Sequence, residues 1–188
     1  SAIVLSLTLL SDGNLLVAGR FGRINKIDAP SIARIKPNGE IDQTFRSPDL
    51  GSPFSRITSV LQLIDGRIMI GGEFSSIDGI PMSNLGRLQT NGSVDQTFLA
   101  NLTGTSGTVI SPVTCMIQQE SGKLIVSGNF AAVNGSKKNG IVRFEPFSGL
   151  VTVSGRVTTP GGQGLRNAVV RMTDLQSNLV RTATTSSF

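Results

Sequence analysis

Short apolar runs alternate along the chain with turn-forming clusters, and their order recurs. The fullest copy is residues 57–98, ITSVLQLIDGRIMIGGEFSSIDGIPMSNLGRLQTNGSVDQTF. There an apolar run, an Asp-Gly turn, a second run ending in Gly-x-Phe, a polar loop, a short Arg-bearing strand, an Asn-Gly turn and Asp-Gln-Thr-Phe follow one another. Upstream, SDGNLLVAGRF at 11–21, SIARIKPNG at 31–39 and IDQTF at 41–45 repeat the pattern, and downstream ESGKLIVSGNF at 120–130 and GIVRF at 140–144 repeat its first part. Phe21, Phe74 and Phe130 are spaced 53 and 56 residues apart, as are Arg34, Arg87 and Arg143, and Phe45 and Phe98 are again 53 apart. A period in the low fifties marks a stacked or radial array of supersecondary units.

Each copy predicts the same elements. In the first, residues 1–10 read as one apolar strand, Asp12-Gly13 as a tight turn and Leu15 to Phe21 as the next strand. Asp65-Gly66 and Ser121-Gly122 repeat the turn, where glycine accepts the positive φ that a hairpin needs. Gly19, Gly72 and Gly128 stand two residues before the repeat Phe, a place suited to a bulge or a close backbone approach. A loop follows in each copy (RINKIDAP, SIDGIPMS, AVNGSKKN), then the strand with the recurrent Arg. Alternation puts Arg34, Arg87 and Arg143 on the face of Ile32, Leu85 and Ile141.

A charge on an apolar face needs a partner. Asp42 and Asp95 follow their Arg by eight residues, but the third copy has Val151 there, which argues against an obligatory Arg-Asp pair. The expectation is therefore that all three guanidinium groups are at least half buried and donate chiefly to backbone carbonyls. The connectors 46–56 and 99–112 are rich in Ser, Gly, Pro or Thr, as surface loops are.

Composition narrows the chemistry. Gly is 22 of 188 and the aromatics are nine Phe with no Tyr or Trp, a balance suited to many short strands. The net charge of +5 and pI near 10 raise the question of nucleic acid. Its distribution answers no: residues 1–149 carry 13 basic and 11 acidic side chains, and 150–188 carry Arg156, Arg166, Arg171 and Arg181 against Asp174, with no dense basic run and no Tyr or Trp platform. The absence of His excludes Ser-His and Cys-His catalysis and the usual zinc sites. Cys115, which aligns with Ser6 and Ser59, reads as a small buried hydrophobe. Asp12, Asp65, Asp42 and Asp95 recur as turn formers rather than as acid-base pairs, and no cofactor is expected. Calcium at the Asp28 and Asp78 loops is the alternative to turn-stabilising Asx geometry there, but they lack the dense ligand run of a calcium site, so no metal is assigned to them. Asn91-Gly92-Ser93, Asn101-Leu102-Thr103 and Asn134-Gly135-Ser136 match glycosylation sequons in form and read as turn chemistry. SAIVLSLTLL has no charged leader and is too short to span a bilayer, so no membrane span is expected.

After Phe144 the pattern breaks. New strands are predicted at Leu150 to Thr158, Ala168 to Thr173 and Leu179 to Thr184, with a turn at Pro160-Gly161-Gly162 and a domain boundary near Gly149. The ordered set of Asp-Gly, Gly-x-Phe, Arg and NGxxDQTF over about 1–145 resembles the delta-60 repeat, a bacterial family of propeller-like blades. The third copy departs from it by losing DQTF. VSGRVTT at 153–159, Gly164, Leu165 and NAVVRMTD at 167–174 make the tail similar to part of a carboxypeptidase regulatory-like domain. Together the resemblances imply an all-β fold: three β-propeller-like blade repeats (about 1–45, 57–98 and 113–149) followed by a partial Ig-like or prealbumin-like β-sandwich at 150–188. They imply secreted or surface-associated proteins and no enzyme activity.

Three blades do not close a propeller, which takes roughly four to eight. An open array leaves apolar faces and strand edges in need of a neighbour, either further copies of this chain or the rest of a longer one. The leading functional expectation is a structural or adhesive component of an extracellular bacterial assembly, a filament subunit joined by strand exchange. The alternative is a propeller-type module that binds glycan or protein through loops 22–31, 75–83 and 131–140.

Overall fold

The computed structural model describes residues 2–104 and 113–145, and the strand backbone of 169–173 and 180–184. The chain divides into two compact units, residues 1–147 and 148–188. All regular elements among the described residues are strands.

The first blade is built from β1 (Ile3–Leu9), β2 (Leu15–Arg20), a small hairpin of β3 (Arg23–Ile24) and β4 (Ile27–Asp28), and β5 (Ile32–Ile35). Its sheet is antiparallel in the order β1-β2-β5. The second repeats this with β6 (Arg56–Gln62), β7 (Ile68–Glu73), hairpin β8 (Ser76–Ile77) and β9 (Ile80–Pro81), and β10 (Leu85–Leu88). The third follows β11 (Leu102–Thr103) with β12 (Val113–Gln118), β13 (Leu124–Gly128), hairpin β14 (Ala132–Val133) and β15 (Ser136–Lys137), and β16 (Ile141–Phe144). The Asp-Gln-Thr-Phe segments add one bridge each to their sheets, Ile35 to Ile41 and Leu88 to Val94, and then coil into a turn.

Turn chemistry sets the register. Gly13, Gly66 and Gly122 hold φ of 84°, 84° and 80°, and each amide donates to the carbonyl three residues back. This is the three-residue hairpin loop that ends on a left-handed residue. The segments expected as loops between the second and third large strands carry two-residue hairpins instead. Asn25 and Lys26, Asp78 and Gly79, and Asn134 and Gly135 sit at their tips with positive φ at both positions, the geometry that twists two strands into a tight ribbon. Asn and Asp reach it cheaply because their short polar side chains tolerate left-handed backbone.

Gly19 and Gly72 mark the start of a bulge in β1 and β6. The register slips by one residue between Val4 and Ser6 and between Ile57 and Ser59. A methyl added at either glycine would lie 2.0 Å from a backbone carbonyl of the paired strand, Ile3 or Arg56. The slip recurs between Val113 and Cys115, opposite Gly128.

Two apolar clusters run between the blades. One joins Leu16, Ala18, Ile32 and Phe45 of the first to Ile57, Val60, Ile68 and Ile70 of the second. The other joins Met69, Leu85 and Phe98 of the second to Val113, Met116, Leu124 and Val126 of the third. The middle blade is thus covered on both faces, and Ile68, Met69 and Ile70 are buried in succession.

In the second unit, β17 (Val169–Thr173) and β18 (Val180–Thr184) pair antiparallel from Val169–Thr184 to Thr173–Val180. The strand expected at 150–158 and the turn at 160–162 lie outside the described residues.

Candidate functional site

The recurrent Arg, Asp and Phe meet at the blade faces. Arg34 Nε donates to Asp42 Oδ2 at 2.8 Å, and Arg87 Nε to Asp95 Oδ2 at 2.8 Å. In both copies the Asp Oδ1 accepts the amide of the residue two further on and its hydroxyl, Thr44 or Thr97. The guanidinium planes lie over Phe45 and Phe98, 5.0 and 5.2 Å from the ring centroids. A buried Arg is thereby neutralised along its edge and packed against an aromatic face, where its cation is attracted to the ring.

These contacts replace the expected backbone-carbonyl partners. Aspartate and threonine are the main acceptors, joined by the Thr90 carbonyl, which takes a bond from Arg34 at 2.8 Å across the blade boundary. A carboxylate wins here because one charge-assisted pair offsets more of the desolvation cost than a neutral carbonyl does. Arg143 departs from the other two and is exposed.

The electrostatics follow the geometry. Thr44 hydrogen bonds, its hydroxyl above all, hold the Asp42 carboxyl down at about 2, with Arg34 assisting against burial. Burial pushes Asp95 up, but Thr97, Arg87 and Arg67 outweigh it and leave the carboxyl below its usual range. Burial pulls the Arg87 pKa down, with nearby Arg67 adding to the effect. Arg67 was not singled out from the sequence, since the equivalent positions are Asn14 and Lys123; it bridges Asp65 and Asp95.

The two end faces differ from the interior ones although they carry equivalent residues. Ile57 and Val60 of β6 pack on the first blade, and Val113 and Met116 of β12 on the second, all buried. Their counterparts in β1, Val4 and Leu7, are 53% and 63% exposed. On the opposite face Ile32 and Leu85 are fully buried, whereas Ile141 is 60% exposed. Cys115, expected to be buried, is exposed as well, while Ser59 at the same repeat position is buried. The blade packed beyond Ser59 covers it, and among the described residues none is packed beyond Cys115.

A family model described as a beta-propeller domain of unknown function, DUF5122, matches residues 10–45, 65–98 and 119–150, more than half of the chain. The chain belongs to this beta-propeller family. Neither the search of curated proteins nor that of solved structures found a match.

The matched segments begin at the tight turn between the first two large strands of each blade. In the first two propeller repeats they end on Phe45 and Phe98, the rings that underlie Arg34 and Arg87. Phe21, Phe74 and Phe130 are buried, and their carbonyls accept the amides of Ser31, Asn84 and Gly140. Those three acquire positive φ just before the Arg strand, a recurrent kink that sequence reading missed because Ser, Asn and Gly share no obvious identity.

The hairpin tips expected as a binding rim are clasped from below in two blades. Asp78 and Asp49 exchange backbone and side-chain bonds of 2.7 and 3.0 Å, and Asn134 and Asn101 do the same at 2.9 and 2.8 Å. Each connector is therefore tied to the next blade's tip. Asp28 pairs with Arg23 and Asp78 with Arg46, and among the described residues no group of His, Cys, Asp or Glu has metal-site geometry. An open cleft beside the first blade is lined by Asn25, Ile27, Lys36, Glu40, Gln43 and Thr44. Among the described residues no helix is long and apolar enough to cross a membrane.

Proposed function

We propose that this chain is a non-enzymatic structural or adhesive component of an extracellular bacterial surface assembly, working through its end blades. The observation that carries this reading is the exposure of Val4 and Leu7 on the first blade and Ile141 on the third, at positions that are buried in the second. Apolar side chains exposed at positions that are core in the neighbouring blade favour an interaction site there. The exposure lies on sheet faces, so face-on packing of blades supports joining better than strand exchange does. The likeness of the repeats to the delta-60 family and of the tail to a carboxypeptidase regulatory-like domain supports the extracellular setting. Electron microscopy of the purified chain tests the reading: multi-copy particles or filaments are expected, and well-folded single copies at every concentration overturn it.

A second reading is a module that binds glycan or protein through the tips at 22–31, 75–83 and 131–140. The clasps at Asp78 and Asn134 favour it, because they hold two of the tips rigid at equivalent places in their blades. Retained ligand capture after the tips are replaced by Gly-Ser would remove this reading.

A further inference from the structure

We propose that the peptide bond between Phe54 and Ser55 is a processing site for an endopeptidase with a deep apolar specificity pocket, and that the cut chain stays together as two pieces. The inference is independent of the structural reading above. It rests on the connector between the first and second blades, both ends of which are anchored.

Phe54 stands apart from the repeat phenylalanines. Phe21, Phe45, Phe74, Phe98 and Phe130 are buried, whereas Phe54 is 80% exposed, more than any other large apolar side chain among the described residues. A ring held in water on a connector adds nothing to the packing of its own fold. It is the group that the main pocket of an aromatic-selective protease encloses.

The backbone around it can lift from the surface without dismantling a sheet. Gly51, Ser52 and Pro53 are exposed as well, and the bonds of the segment are local: the Gly51 amide donates to Asp49 Oδ1 at 2.8 Å, the Phe54 amide to Ser52 Oγ at 3.2 Å and the Ser55 amide to the Ser52 carbonyl at 3.0 Å. Before it, the Asp49 carbonyl accepts the Asp78 amide at 2.7 Å and Leu50 is buried; after it, Arg56 opens β6 opposite Glu73. A protease takes its substrate as an extended strand, so a loop that gives up only turn bonds is cut before a sheet is. Pro53 assists, because its ring already holds φ in the range of an extended polyproline-type chain.

Leu99 is the contrast. It is 63% exposed on the connector to the third blade, but Phe98 and Ala100 on either side of it are core residues that hold its backbone down. The exposed apolar residues of β1 lie in a strand laddered to β2.

Hydrolysis adds water to the Phe54 carbonyl carbon, breaks its bond to the Ser55 nitrogen, and leaves a carboxylate on one piece and an ammonium on the other. The first blade does not leave with the cut. Leu16, Ile32 and Phe45 share one apolar cluster with Ile57, Val60 and Ile70. Thr8 Oγ1 donates to the Val60 carbonyl at 2.9 Å, Arg34 to the Thr90 carbonyl at 2.8 Å and the Arg46 amide to the Asn91 carbonyl at 2.8 Å, all between the two pieces. Processing therefore turns a covalent blade junction into a non-covalent one held by that cluster and those bonds.

The test is limited digestion of the full chain with chymotrypsin in native buffer, read by N-terminal sequencing and mass spectrometry. A new terminus at Ser55 is expected among the earliest products, and the two pieces are expected to co-elute at the position of the uncut chain on gel filtration and to separate in urea. Phe54→Ala should slow this cut about tenfold or more and leave the circular dichroism spectrum unchanged, since the side chain is exposed. An intact Phe54–Ser55 bond in native buffer overturns the site, whatever else is cleaved. Equally fast cutting in Phe54→Ala overturns recognition through the ring. Pieces that elute apart in native buffer overturn the association.

Discussion

Arg87 and Asp95 form an ion pair of 2.8 Å with side chains 4% and 2% exposed, eight residues apart and across the loop of one blade. Arg34 and Asp42 make the same pair with the side chains 14% and 8% exposed. The two sites differ in enclosure and in Arg67, which also reaches Asp95 at 3.0 Å and has Asn14 as its counterpart in the first blade.

Arg87→Ala removes one of the two guanidinium groups on buried Asp95, leaving Arg67 at 3.0 Å, and should cost about 1.5 to 3 kcal/mol in urea unfolding. Arg34→Ala should cost less, because water reaches Asp42 more easily. Equal losses would show that enclosure does not set the strength of the pair.

Acid should weaken the fold through the same aspartates. Asp42 is lowered from 3.8 to about 2, and Asp95 is lowered too, so the folded state binds fewer protons than the unfolded chain as the pH falls. Their stabilisation is complete above the ordinary carboxylate value and is lost as pH drops through it toward about 2. Urea midpoints measured across that window should fall steadily, and Asp42→Asn should flatten the fall.

Gly72→Ala sets a methyl 2.0 Å from the Arg56 carbonyl, and the bulge must open to admit it. A loss of about 1 to 3 kcal/mol is expected, as for other overpacked sites. Gly22→Ala has nothing within 4 Å of the new methyl and should stay within about 0.5 kcal/mol. Thermal melts of the two variants provide the comparison.

Val60→Asp buries a charge between blades and should abolish the β-type circular dichroism spectrum, whereas Leu7→Asp should preserve it. The two residues occupy the same repeat position, so loss of structure in both would mean that the first blade cannot stand with its outer face in water.

Much of the blade was legible along the chain because it depends on local rules. Asp12-Gly13 and Asp65-Gly66 announce hairpins through glycine's access to positive φ, and Gly-x-Phe marks the bulge and the buried ring. The Arg partners are not legible along the chain, because the third copy carries Val151 in place of the Asp. Among the described residues no blade follows Arg143, which is exposed, and an exposed Arg needs no carboxylate. The small hairpins look like loops along the chain because two-residue strands are too short to show alternation.

The sequence alone determined the repeat, the strand order within it and the residues bearing its turns, since these follow from backbone preferences and from period-two alternation inside some fifty residues. Whether a given repeat position is core or surface was decided by tertiary structure. Val4 and Ile57, Ser59 and Cys115, and Ile141 and Leu85 hold matching places in the pattern and opposite places relative to water. Burial depends on which blade lies across the boundary, and that neighbour is some fifty residues away along the chain.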